Sequence, residues 1–179
     1  VTENQMIQGL KNGQEDAFRN MMELYGNKLL GTCYLILRDR EEAEDVVQET
    51  FVRVFGNIRG FNGKSSLYTW IYRIAINLSR DKLRKRSYDL SLKEEIVGDE
   101  NVENLVEHKL ELGELKRRLA TLSPIYREVL VLFYYQELSI AEISSLLYEK
   151  EGTIKSRLSR GRRILAGEMK KGGTEDEPE

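Results

Sequence analysis

The apolar residues of this chain recur at helical spacing, and nowhere do apolar and polar residues alternate for long enough to make a strand. The clearest case is Val46, Val47, Thr50, Phe51, Val54, Phe55 and Ile58. They return at i, i+4 and i+8, one apolar face of a helix that begins near Glu41. Proline removes a backbone donor and clashes with the preceding turn, and only Pro124 and Pro178 occur. The chain is predicted to be all-α.

The same pattern places the other elements. A short helix fits Gln5–Lys11, and a longer one fits Glu15–Leu37. The run Phe61-Asn62-Gly63-Lys64-Ser65-Ser66 breaks the period, with Gly63 as a turn residue and Ser65 or Ser66 as N-cap. A helix from Leu67 to about Arg86 is expected to bury Leu67, Trp70, Ile71, Ile74, Leu78 and Leu83, with Tyr68 and Tyr72 exposed. Later, Leu105–Leu119 reads as a helix. Ser123-Pro124 supplies a cap and a first-turn proline for a helix Ile125–Tyr135. Ser139 caps Ile140–Leu147, and a break at Tyr148-Glu149-Lys150 precedes a last helix from about Gly152 or Thr153 to Met169. Two short helices about a tight turn, the second carrying the bases, have the helix-turn-helix layout; an ordinary helical hairpin is the other reading.

Residues 89–107 are acidic, lack aromatics and show little periodicity, which reads as a linker. It separates an N-terminal domain, 1–88, from a C-terminal one, 108–171, and an acidic tail, 172–179, has the composition of disorder. The formal net charge of −2 conceals this division. Residues 57–88 hold eight bases and one acid, a net of +7; residues 150–171 hold eight bases and two acids, a net of +6. The linker, with seven acids and one base, is −6, and residues 37–57, with six acids and three bases, are −3. Two concentrated basic segments suggest two polyanion-binding surfaces, against the alternative of two solvated helix faces.

A single cysteine, Cys33, excludes an intramolecular disulfide framework and a Cys-rich zinc site, and fits a reducing compartment. A single histidine, His108, leaves little for His-based catalysis or metal binding. The longest apolar run, Val129–Tyr135, is seven residues, far short of the ~18 a membrane helix needs. With no basic-then-apolar segment at its start, the protein is expected to be cytoplasmic.

Three constellations carry possible chemistry. In the Leu67 helix, Arg73, Asn77, Arg80 and Arg84 share a face, with Tyr68, Trp70 and Tyr72 close by. Bases and aromatics beside an open loop suit single-stranded nucleic acid, where phosphates pair with cations and unstacked bases lean on rings. In the last helix, Lys155, Ser156, Ser159 and Arg160 occupy the turns that reach base edges in a major groove. Arg157, Arg162 and Arg163 are placed for phosphates. The third is acidic: Glu41, Glu42, Asp45 and Glu49, with Gln48 beside them, are a solvated face, a docking surface for a basic partner, or half of a Mg²⁺ site. The metal reading needs a second carboxylate pair, and the facing basic helix offers only Asp81.

Two strings fix the resemblance. Glu42-Ala43-Glu44-Asp45-Val46-Val47-Gln48-Glu49-Thr50-Phe51, then Phe61, then Tyr68-Thr69-Trp70-Ile71-Tyr72-Arg73-Ile74-Ala75-Ile76-Asn77, resembles domain 2 of bacterial extracytoplasmic-function (ECF, group 4) RNA polymerase sigma factors. Leu122-Ser123-Pro124, Tyr126-Arg127-Glu128-Val129 and Gly152-Thr153-Ile154-Lys155-Ser156-Arg157-Leu158-Ser159-Arg160-Gly161-Arg162 resemble their domain 4.

The resemblance implies a promoter-specificity subunit of polymerase with no catalysis, cofactor or metal of its own. Asp45, Gln48 and Glu49 would dock on the β′ clamp coiled coil. Phe61, Gly63, Lys64 and Ser65, with Tyr68, Trp70, Tyr72, Arg73, Asn77, Arg80 and Arg84, would hold the melted −10 element. Lys155, Ser156, Arg157, Ser159, Arg160 and Arg163 would read the −35 duplex. The implied partners are the polymerase core (β′ clamp coiled coil and β flap), promoter DNA and an anti-sigma factor, without direct membrane insertion. Two other functions stand beside it: a helix-turn-helix regulator acting without polymerase, and a Mg²⁺-dependent nucleotide pyrophosphohydrolase. One departure marks the turn before the last helix, where the family commonly has Gly and an apolar residue and this chain has Tyr148-Glu149. Either the turn differs or the last helix is re-aimed, because a position that prefers φ > 0 strains a tyrosine.

Overall fold

The computed structural model describes residues 2–92 and 116–172, which are helices and connecting turns without strands. The chain divides into two compact units, Val1–Gly98 and Asp99–Glu179. The linker expected at 89–107 lies mostly outside the described residues, as do the expected tail and most of the helix expected at Leu105–Leu119, of which 116–120 are helical.

In the first unit, helix α1 (Glu3–Lys11) is closed by a capping box: the Thr2 hydroxyl accepts from the Gln5 N–H and the Gln5 side chain accepts from Thr2. This starts the helix two residues before the periodicity does. Helix α2 (Glu15–Leu37) ends on Arg38 in the left-handed conformation, φ 62°. Asp39 then caps α3 (Arg40–Asn57), its carboxylate 2.8 Å from the Glu42 N–H. A 3-10 turn, Ile58–Gly60, and the loop 61–66 lead into α4 (Leu67–Leu92), which carries on through residues 89–92, read from sequence as linker.

Helices α2, α3 and α4 close around Met21, Leu29, Ile36, Leu37, Val46, Val54, Ile71, Tyr72 and Ile76. Each such side chain removed from water stabilises the unit by about 1.5–3 kcal/mol before the cost of ordering it. Thr50 faces this core because its hydroxyl donates to the Val46 carbonyl, 2.6 Å away. Phe55 does not: it is 66% exposed and rests on Phe18, ring centroids 4.8 Å apart. At ~100° per residue Phe55 lies beyond the sector centred on Val46, Thr50 and Val54, so the apolar stripe is wider than the buried one. Burial pushes the Cys33 thiol up to about 12, only partly offset by its hydrogen bond with Ser79.

In the second unit, Pro124 opens α5 (Pro124–Leu130) at its first turn. Ser123 takes the cap position, but its hydroxyl makes no capping bond. The expected single helix to Tyr135 instead widens into a π turn, Val131–Tyr135. Helix α6 (Ile140–Leu147) starts with a Ser139/Glu142 capping box, and residues 148–150 connect it to α7 (Glu151–Gly172). Ile154 and Leu158 bury against Val129, Leu130, Ile143 and Leu147 in one core. Gly161 lets α7 approach α5 closely, since a Cβ there would stand 2.8 Å from a Leu130 methyl.

Candidate docking and nucleic-acid interfaces

Asp45, Gln48 and Glu49 are exposed along α3, opposite its buried stripe. With Val46, Val52, Leu78 and Lys82 they line an open groove of about 420 Å³. Apolar side chains set among polar ones on an exposed face are in keeping with a protein interface. Val52, 65% exposed, belongs to this surface and escapes the sequence reading; its signal was an apolar residue four after Gln48 on a polar face. Asp45 pairs with Lys82 (2.9 Å) and Glu49 with Arg53 (2.7 Å). Arg86 reaches Glu42 and donates to the Leu37 carbonyl at 3.0 Å. Asp45 and Glu42 thus meet cations of α4, and Glu49 a cation of its own helix, rather than a second carboxylate pair. Among the described residues, no cluster of three or more His, Cys, Asp or Glu is arranged to hold a metal.

The loop before α4 is shaped locally. Gly63 takes φ 71°, and the Asn62 side chain accepts from the Lys64 N–H at 3.1 Å. Ser66 caps α4 by accepting from the Thr69 N–H at 3.1 Å, while Glu3 of α1 accepts from the Leu67 N–H. Gly63, Lys64, Asn77 and Arg84 are exposed; Ser65, Tyr68, Trp70, Arg73 and Arg80 are half-buried. Arg84 pairs with Asp81.

Two residues of this set lie inside. Phe61 is 6% exposed and underlies Trp70, centroids 5.1 Å apart. Tyr72 is wholly buried, which corrects its expected exposure. It shares the inward stripe with Ala75, Ile76 and Ser79, and stacks on Tyr68 at 4.3 Å. Trp70, expected in the core, is only half-buried. Burial, with the charge of Glu3, raises the phenol pKa of Tyr25, whose ring faces Tyr68 at 6.2 Å.

On α7, Lys155, Ser156, Ser159, Arg160, Arg162 and Arg163 are exposed, while Ile154, Leu158 and Gly161 form the opposite, buried face. Glu151 lies 3.8 Å from Lys155, an exposed pair of little energetic weight. Arg157 points elsewhere, to Glu149 at 3.0 Å. Tyr148 keeps the positive φ that the turn requires, at 55°, with its side chain 75% exposed.

One helical unit thus presents a groove of mixed charge beside a basic helix, and the other a helix-turn-helix layout. The Sigma-70 region 2 family pattern matches residues 21–88, and that of Sigma-70, region 4 matches residues 112–165. The chain is 36% identical over 178 residues to the ECF RNA polymerase sigma factor SigW of Bacillus subtilis (strain 168), covering 92% of this chain and 95% of the relative. It is 28% identical to the RNA polymerase sigma-H factor of Pseudomonas aeruginosa, with 91% of each chain covered. Its fold is similar to the sigma factor RpoE solved with the anti-sigma factor NepR from Bartonella quintana, with TM-score 0.75, 25% identity and 86% and 96% of the two chains covered. The chain belongs to the ECF RNA polymerase sigma factors, and it directs transcription initiation.

Proposed function

We propose that the two units divide promoter recognition between them. The groove lined by Asp45, Gln48 and Glu49 docks on the β′ clamp coiled coil of polymerase core. The loop Phe61–Ser65 and the α4 face bearing Arg73, Asn77, Arg80 and Arg84 hold the melted −10 strand. Phe61 and Tyr72 act from beneath this surface, supporting Trp70 and Tyr68. Lys155, Ser156, Ser159 and Arg160 read the −35 element as duplex, and Arg163 meets its backbone. On this reading residues 1–88 are sigma domain 2, 108–171 are sigma domain 4, 89–107 join them and 172–179 form a tail.

The observation that carries the reading is the exposed polar and cationic face of α7 set against its buried Ile154 and Leu158. That face presents donors in the first turns of a helix following a tight turn, the geometry of major-groove readout. Unstacking a base costs a few kcal/mol, which phosphate and ring contacts on α4 would offset. The polymerase supplies the chemistry, so the chain is not itself an enzyme. Its place of action is the cytoplasm, where polymerase and promoter meet. The relative solved with NepR supports a corresponding anti-sigma partner for this chain.

In-vitro transcription with polymerase core and a randomised promoter library tests this. Selected promoters should share −35 and −10 elements and depend on the added chain. Duplex binding without core-dependent initiation would favour a helix-turn-helix regulator instead.

A further inference from the structure

We propose that Glu149 is a positioning residue for −35 readout, and that Arg157 is its internal partner rather than a phosphate contact; this rests on the assignment of α7 to the −35 element. Glu149 is attached at three points. Its N–H donates to the Ser144 carbonyl at 3.2 Å, its carbonyl accepts from the Ser144 hydroxyl at 2.6 Å, and its carboxylate lies 3.0 Å from the Arg157 guanidinium. The left-handed turn at Tyr148 directs the chain into this position. One residue therefore ties the end of α6 to the second turn of α7.

The side chains of Arg157 and Glu149 are 21% and 33% exposed, so the pair is less screened than the open Glu151–Lys155 pair. At ~100° per residue, Arg157 lies ~160° around α7 from both Lys155 and Ser159 and ~60° from Arg160, at the border between the strip that faces a groove and the buried face of Ile154 and Gly161. Base-edge hydrogen bonds depend closely on where the helix lies. The Glu149–Arg157 bridge holds that position, in a turn where the family commonly carries glycine and an apolar residue.

The test uses holoenzyme assembled from polymerase core and the full chain, with a base scan across the −35 element and a salt titration of promoter binding. Glu149→Ala and Arg157→Ala should each reduce discrimination at −35 by about fivefold or more. The double variant should be no worse than either single one, and the exchange Glu149→Arg with Arg157→Glu should recover part of the loss. The salt dependence should not change. Unfolding in urea, followed by circular dichroism, confirms that each variant is folded under assay conditions.

A salt slope lowered by about one charge in Arg157→Ala, with base preference kept, would make Arg157 a phosphate contact and overturn the proposal. So would uniformly tighter binding by Glu149→Ala, which would make Glu149 merely repulsive. A wild-type chain without −35 preference would instead remove the assignment of α7, and the proposal with it. That outcome is distinct because it appears before any substitution.

Discussion

Lys82 Nζ lies 2.9 Å from Asp45 Oδ2, an ion pair across the α3–α4 seam between residues 37 apart in sequence. The residue proposed to meet the polymerase clamp is therefore already held by a cation of the helix proposed to meet DNA. Asp45 is 60% exposed and Lys82 34%, so the pair itself contributes at most about 1 kcal/mol. Asp45→Arg should consequently cost about that much stability in urea, while affinity for polymerase core falls at least tenfold, about 1.4 kcal/mol. Unchanged affinity in a core-binding titration would remove Asp45 from the interface.

Asn77 is exposed on α4, one turn beyond the half-buried Arg73. Its amide offers a donor and an acceptor to an unstacked base. Asn77→Ala should slow promoter opening without weakening binding to a −35-only duplex, as read by permanganate footprinting alongside mobility shift. Equal losses in both assays would contradict a role confined to melted DNA.

Arg160 is exposed, one helical turn after Ser156 and beside Ser159 on the open face of α7. A direct Arg contact to a base is worth about 1–3 kcal/mol of discrimination. Arg160→Ala should flatten the preference at one −35 position and leave the others. A base scan with no altered position would refute the contact.

The helices were legible because their causes are local. The spacing of Val46, Thr50 and Val54 sets the buried stripe of α3, and Ser139 with Glu142 sets the start of α6. Exposed site residues such as Lys155, Ser159 and Asn77 followed from the same periodicity. What escaped depends on partners distant in sequence. Tyr72 is buried against expectation because aromatic character does not say which side of α4 faces α2 and α3. The neutralisation of Glu42 by Arg86 spans 44 residues, and no spacing rule reaches that far. The turn at Tyr148 was legible as an anomaly, and only the backbone shows that the tyrosine accepts the left-handed conformation.

That conformation carries a testable cost. A non-glycine residue at positive φ loses about 1–2 kcal/mol, of which a glycine replacement recovers part because it also loosens the unfolded chain. The Tyr148 side chain is 75% exposed, so little packing is forfeited. Tyr148→Gly should stabilise the second unit by about 0.5–1 kcal/mol in urea unfolding. A destabilised variant would show that contacts of the Tyr148 side chain outweigh the backbone strain.

The capping box of α6 should respond to acid. The Ser139 hydroxyl donates to the Glu142 carboxylate at 2.7 Å and the Ser139 N–H donates to it at 2.8 Å. These bonds, the hydroxyl first, hold the Glu142 carboxyl below its ordinary value. Because the folded value is the lower one, this stabilisation is complete above the unfolded Glu value and fades as pH falls through the folded one. Ser139→Ala should cost about 1 kcal/mol at neutral pH, the usual worth of an N-cap. The difference from wild type should shrink in urea titrations below the ordinary carboxylate range. Part of it should survive, since the Ser139 hydroxyl also accepts from the Glu142 N–H at 3.2 Å whatever the charge. A gap constant through the acid range would mean that the carboxylate takes no part in closing the helix.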